Sequence, residues 1–172
     1  MEKLECALAL GDALPACDAK IAAIHRYWSE IRPEGRPMPG RQHFDPVAIP
    51  RLLPMIRLYD VYRHPWRFRY RLMGTELVRQ VGRDLTGTWF DDKEATPQVS
   101  RSYANLVFVA AGLGISYRRG FPVFNAAHKD YLTSERIMLP LARDGSTVDI
   151  VLALTAYQLV SNEAVLHHNQ HG

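Results

Sequence analysis

The chain has 172 residues, 47% of them hydrophobic and 23% charged, enough for one folded domain with a core of its own. No apolar run approaches the ~20 residues that cross a bilayer, which excludes membrane insertion by a helix, and Glu2 and Glu5 spoil the basic region that an export signal needs. The net charge of +3 is dispersed rather than gathered into a stripe, so nucleic acid is not an expected partner, and Cys6 and Cys17 show no metal-ligand spacing, which suits reduced thiols in a cytoplasmic protein.

The first predicted element is a helix. Leu14, Cys17, Ile21, Ile24, Trp28 and Ile31 recur at spacings of three and four, Pro15 fits its first turn, and Pro33 and Gly35 end it. The stripe suits a helix packed on its own sheet or one that pairs two chains. A homodimer is expected, with Trp28 as a docking residue. Residues 35–54 are rich in Pro and Gly but punctuated by Phe44, Val47, Ile49, Leu52 and Leu53, the pattern of a structured connector. Asp45-Pro46 reads as an N-cap followed by Pro at the first helical position, opening a short helix to about Leu53.

Met55 to Tyr62 is apolar on both faces, as a central strand would be. After a His64-Pro65 turn, Trp66, Phe68, Tyr70 and Leu72 alternate with Arg67, Arg69 and Arg71, so that one face is a core wall and the other a row of guanidinium groups. Gly74 to Gly82 encloses a short helix, and residues 82–90 form a turn. Thr96-Pro97 caps a longer helix with the stripe Val99, Tyr103, Leu106 and Ala110, closed by Gly112 and Gly114. Ile115 to Arg119 is a short strand, and residues 121–130 form a loop. In the last hairpin, Ile137, Leu139 and Leu141 alternate with Arg136, Met138 and Pro140. The Asp144-Gly145 turn follows, and then Val148, Ile150, Leu152, Leu154 and Ala156 share one face. Pro140 cannot donate to a ladder and needs a bulge or a non-donating position.

Four separated strings agree in order and spacing with one family: W..IR..GRPMPGRQHFDP, IPRLLPMIRLYDV, RFRYRLMGTELV...GRDLTG and LPLARDG. Over about residues 25–157 the chain resembles the PAS_5 branch of the PAS superfamily, found mainly in bacteria. The resemblance implies an α+β PAS fold with a five-stranded antiparallel sheet in the order 2-1-5-4-3, helices on one face and an extra N-terminal helix. Residues 1–34 would be that helical extension, 35–160 the PAS domain and 161–172 a polar tail. It also implies a sensory or regulatory module that binds a small molecule in a cavity, docks a signalling protein such as a kinase or regulator, or both.

The cavity lining expected from pattern is Tyr70, Leu72, Leu77, Val78, Trp89, Phe90, Tyr103, Val107 and Tyr117, with Tyr103 and Tyr117 as hydrogen-bonding candidates. Glu76 and Arg83 could reach the same ligand, Arg83 suiting a carboxylate or phosphate. The row Arg67, Arg69 and Arg71 is the candidate surface for an acidic partner. Its aromatic neighbours alternate onto the opposite face, which argues against single-stranded nucleic acid. The ligand and any cofactor stay unspecified. Haem is not expected, because the longer helix carries no His and His128 lies in the next loop. Flavin photochemistry is not expected, because both cysteines are elsewhere. His167, His168 and His171 have no partner ligands arranged with them. No converging nucleophile or acid/base set appears, so an enzyme is not expected; a ligand carrier or small enzyme using the same cavity is the alternative.

Overall fold

Alternating apolar strands can hide two faces only if something covers each, and here helices cover both. The computed structural model describes residues 4–90, 97–120 and 132–159. Strand β1 (Leu4–Leu8) is followed by helix α1 (Ala19–Glu30) and a connector with 3-10 turns at Arg41–His43, Pro46–Ala48 and Leu53–Met55. Strands β2 (Ile56–Tyr62) and β3 (Arg67–Met73), helices α2 (Thr75–Val81) and α3 (Pro97–Ala110), and strands β4 (Ile115–Gly120), β5 (Leu132–Leu141) and β6 (Ile150–Leu159) complete the chain. All strand pairs are antiparallel, in the order β1-β4-β5-β6-β2-β3.

The sheet therefore has six strands where five were expected. The added strand is β1, which lies within residues 1–34, the stretch read as a helical extension, and it adds itself to the β4 edge, Cys6 opposite Tyr117. Gly114 makes room for it: at φ 156 a Cβ there would collide with the Leu8 carbonyl. The helix also starts later than its apolar stripe. Asp18 accepts from the Lys20 amide at 2.8 Å and caps α1 there, leaving Leu14 and Cys17 in the approach to it.

The register sorts the side chains into two faces. Ile56, Leu58, Ile137, Leu139, Leu152, Leu154 and Tyr117 share the outer face, on which α1 lies with Ile21, Ile24 and Trp28 buried. The Trp28 indole donates to the Pro140 carbonyl at 2.8 Å, past the end of β4, so Pro140 occupies a place where no ladder donor is needed. The helices are thus not confined to one face, and Trp28, at 1% exposure, is core rather than a docking residue. The Tyr27 hydroxyl ties the connector to α1 by accepting from the Asp45 amide at 2.7 Å and donating to the Asp45 carbonyl at 3.0 Å. Asp45 in turn caps the Pro46–Ala48 turn through the Val47 amide at 2.9 Å. In the hairpin between β5 and β6, Asp144 accepts from the Ser146 and Thr147 amides at 2.8 and 2.7 Å, and Gly145 takes φ 83.

A bulge corrects the reading of β3. Leu58 stands opposite Leu72 but Tyr59 opposite Tyr70, so Arg71 is the extra residue. The alternation slips there, and Leu72 turns to the face away from Tyr70, where it is 43% exposed. The backbone of β3 facing away from β2 is also occupied. Tyr70 donates to Thr88 and accepts from Gly87, and Phe68 accepts from Phe90 at 2.8 Å. Thr96, the loop at 121–130 with His128, and the tail at 161–172 with its histidines lie outside the described residues.

Candidate functional site

The inner face of the sheet, the one α3 covers, is less apolar than its position suggests. Arg57 on β2 stands opposite Ala153 of β6, and Arg136 on β5 stands opposite Thr155, two residues further along the same strand. Both arginines therefore point to the same face from the two neighbours of β6. Arg118 on β4 lies opposite Arg136 on its other side, and Glu5 of β1 lies opposite Arg118. Helix α3 closes over this row. Ser102 accepts from Arg136 Nη1 at 3.1 Å, and Asn105 donates to Glu5 Oε1 at 2.7 Å. The Tyr103 ring meets Phe68 edge-on at 5.8 Å, with its hydroxyl donating to the Trp66 carbonyl at 2.9 Å.

An aromatic wall completes one side. Tyr59 packs against Tyr70 at 5.0 Å between ring centres, and Phe90 lies 6.2 and 6.1 Å from the two rings. Arg57 Nη1 donates to the Tyr59 hydroxyl at 3.3 Å. The exposures are small: 4% for Arg57, 9% for Arg136 and 5% for Thr155. Arg57 Nε, Arg136 Nη2 and Thr155 Oγ1 are buried with no hydrogen-bond partner among the described residues. Buried guanidinium groups normally face a carboxylate. Among the described residues neither Arg57 nor Arg136 forms an ion pair.

The titration of these groups follows from that setting. Burial, reinforced by the guanidinium groups of Arg57 and Arg118 and opposed by Tyr59 and, more weakly, by the Glu5 carboxylate, presses Arg136 down to about 10. Burial acts on Arg57 in the same sense, but the phenol oxygens of Tyr59, Tyr70 and Tyr157 around it outweigh the effect and hold it cationic. Burial raises Tyr70 and Tyr157, so both remain protonated donors at neutral pH. The interior can thus offer cationic and hydroxyl donors to an acceptor. No nucleophile paired with a base appears among these residues.

The expected lining divides on inspection. Tyr70, Phe90 and Tyr103 do stand at this interior, with Val107 half-buried on α3. Leu77 is fully buried on α2, which packs against the Leu53–Met55 turn, and Val78 is half-buried beside it. Leu72 is turned away by the bulge. Tyr117 belongs to the outer face, where its hydroxyl donates to the buried Glu135 at 2.8 Å; the same carboxylate oxygen accepts the Asp18 amide at the start of α1. Trp89 is 39% exposed, with the Arg67 guanidinium 4.0 Å above its ring and Tyr62 at 4.9 Å. Glu76 is taken up by Arg79 at 2.6 Å and Gln80 at 2.7 Å, and Arg83 is exposed, so that pair does not come together. The row Arg67, Arg69 and Arg71 is exposed as expected but engaged within the chain, Arg69 with the Gly87 carbonyl and Arg71 with Asp60, both at 3.0 Å.

Sequence reasoning missed Arg57, Arg136, Tyr59, Thr155 and Ser102. Their signal was present: a strand judged central by its apolar residues carries an arginine in its third position, and the hairpin strand carries another.

No curated protein and no solved structure matches the chain. A family model described as PAS domain, PAS_5, matches residues 18–155, from the cap of α1 to the middle of β6. With most of its length inside that match, the chain belongs to the PAS_5 family of PAS domains.

Proposed function

We propose that the protein is a sensory or regulatory PAS module, cytoplasmic and not an enzyme, that holds a small molecule between the inner face of its sheet and α3. The observation that carries this reading is the set of buried polar groups left without partners on that face: Arg57 Nε, Arg136 Nη2 and Thr155 Oγ1. Each orphaned buried donor is costly, and folded proteins rarely keep several together without something to satisfy them. A ligand there would touch four adjacent strands and the helix above them. It could then bias the whole sheet, provided it binds one arrangement more tightly than another. A signalling protein such as a kinase or regulator is the expected recipient of that change.

A homodimer held through α1 is not part of this reading, because the stripe that suggested it is buried against the chain's own sheet. Native mass spectrometry of the purified chain, set against its denatured mass, tests the ligand. A mass excess that disappears on denaturation is the expected outcome. An unmodified native mass, together with no shift in melting temperature across a broad metabolite panel, would overturn it.

A further inference from the structure

We propose, building on that ligand-binding reading, that the ligand is a small oxyanion with two negative charges, a dicarboxylate or a phosphate monoester, held by Arg57 and Arg136.

Charge balance comes first. The inner face carries Arg57, Arg136 and Arg118. Glu5 is placed opposite Arg118 at the β1 edge of the face and is anchored by Asn105, so it serves that end of the row. Its charge also reaches Arg136, but across β4, and the two guanidinium groups of Arg57 and Arg136, 4% and 9% exposed, have no carboxylate in ion-pair contact among the described residues. Phenols and a serine hydroxyl supply them with oxygen atoms but no charge. A cation held out of water needs an anion, not only a dipole, to offset its lost hydration.

The geometry of the orphaned groups agrees. Guanidinium groups present fixed forks that match the paired oxygens of carboxylate and phosphate. Arg57 Nε and Arg136 Nη2 are the unused arms of such forks, one from each strand that flanks β6. Thr155 Oγ1, on the strand between them, is a third unused polar atom on the same face. The backbones carrying the two arginines are two strand spacings apart, about 10 Å, with Thr155 on the strand between them. Tyr70 and Phe90, with ring centres 6.1 Å apart, put aromatic carbon beside these groups and suit the carbon skeleton of an organic acid.

The test uses the full chain, stripped of any retained ligand by unfolding and refolding, in low-salt buffer. Thermal melts and titration calorimetry are run with succinate, glycerol phosphate and inorganic phosphate, and with the neutral counterparts succinamide and glycerol. A melting temperature that rises with succinate or glycerol phosphate, but not with the neutral compounds, supports the proposal; the larger response identifies which oxyanion is taken. A response to inorganic phosphate alone marks an adventitious ion only and overturns it. An equal response to succinamide shows that a ligand binds without its charge being read, which overturns this inference while leaving the sensory reading intact. No retained ligand and no response to any probe sinks both.

Arg57→Met and Arg136→Met should weaken the dianion on the order of 10- to 100-fold, the scale of a hydrogen bond to a charged group. The same variants should melt higher than wild type when empty, since an uncompensated buried charge is replaced by an apolar chain of similar length. Arginines serving only the fold would show the reverse, a lower melting temperature with ligand affinity unchanged. The amide variant of Asp91, Asp92, Glu94 and Asp130, acids outside the described residues, should keep the wild-type response. If wild type is silent and that variant gains a response, the arginines are already neutralised within the chain and the proposal fails.

Discussion

Trp28 fixes how α1 lies on the sheet. Its ring fills the space above β5, and its single N–H reaches the carbonyl that Pro140 leaves free. Trp28→Phe keeps most of the packing and orphans that carbonyl, which should cost about 1–2 kcal/mol. Trp28→Ala empties the site and should cost about 3–5 kcal/mol, read from denaturant titration. Equal losses for the two variants would show that packing plays no separate part. Its neighbour His25 stacks on it with ring centres 6.2 Å apart, and burial pushes the imidazole below its ordinary value. The folded chain therefore resists the proton that the unfolded chain takes up below about pH 6.5. The contribution of neutral His25 is fully present above that pH and is lost as acid drives the pH down through its folded value. His25→Phe should flatten the melting temperature between about pH 7.5 and 5.5, and a slope as steep as wild type would assign the acid sensitivity elsewhere. At this scale the sequence was readable where one residue type meets one need: Asp45 before Pro46, Asp144 before Gly145, Trp28 closing an apolar stripe. The two inner arginines were not, because an isolated charge in a strand looks the same whether water or a helix covers it.

Among the elements, β1 and β3 departed most from expectation. Leu4, Cys6, Leu8 and Leu10 do alternate, but the run is short, has Ala at two of its intervening positions and stops at Gly11, so nothing in it announced a partner strand. Pairing supplied by β4 decided the matter. Removing residues 1–8 should strip the β4 backbone from Ile115 to Arg119 of its outer partner, lower the melting temperature and produce concentration-dependent association by sedimentation velocity. A truncated chain as stable and as monodisperse as the parent would make β1 dispensable. In β3 the alternation was correct up to Tyr70 and misled at Leu72, because a bulge depends on the partner strand and has no local mark there. Arg67 and Arg69 of that strand brace the segment from Gly87 to Phe90, and Arg71 ties the strand to Asp60 of β2. Reversing Arg67, Arg69 and Arg71 to Glu should thus cost about 1–2 kcal/mol, summing a ring contact, a backbone hydrogen bond and an exposed ion pair. An unchanged denaturation midpoint would show that the brace is idle.

At the level of the molecule, the family and the antiparallel sheet were legible because they rest on strings of turns and alternations spread along the chain. The count of strands, and which helix covers which face, were set by long-range pairing that no window of sequence contains. One consequence follows from the hydrogen bonds at the two margins of the sheet. Gly87–Phe90 is laid along β3, and β1 is laid along β4. Among the described residues the amide groups still facing outward are mainly those of β1, five residues long with Glu5 as its second residue. Among the described residues, a peptide that recognises sheets by adding itself as a further strand would find its template along β1. Away from that short margin, a partner of the proposed module would have to read side chains, so its specificity could be altered one substitution at a time without disturbing the backbone ladder beneath.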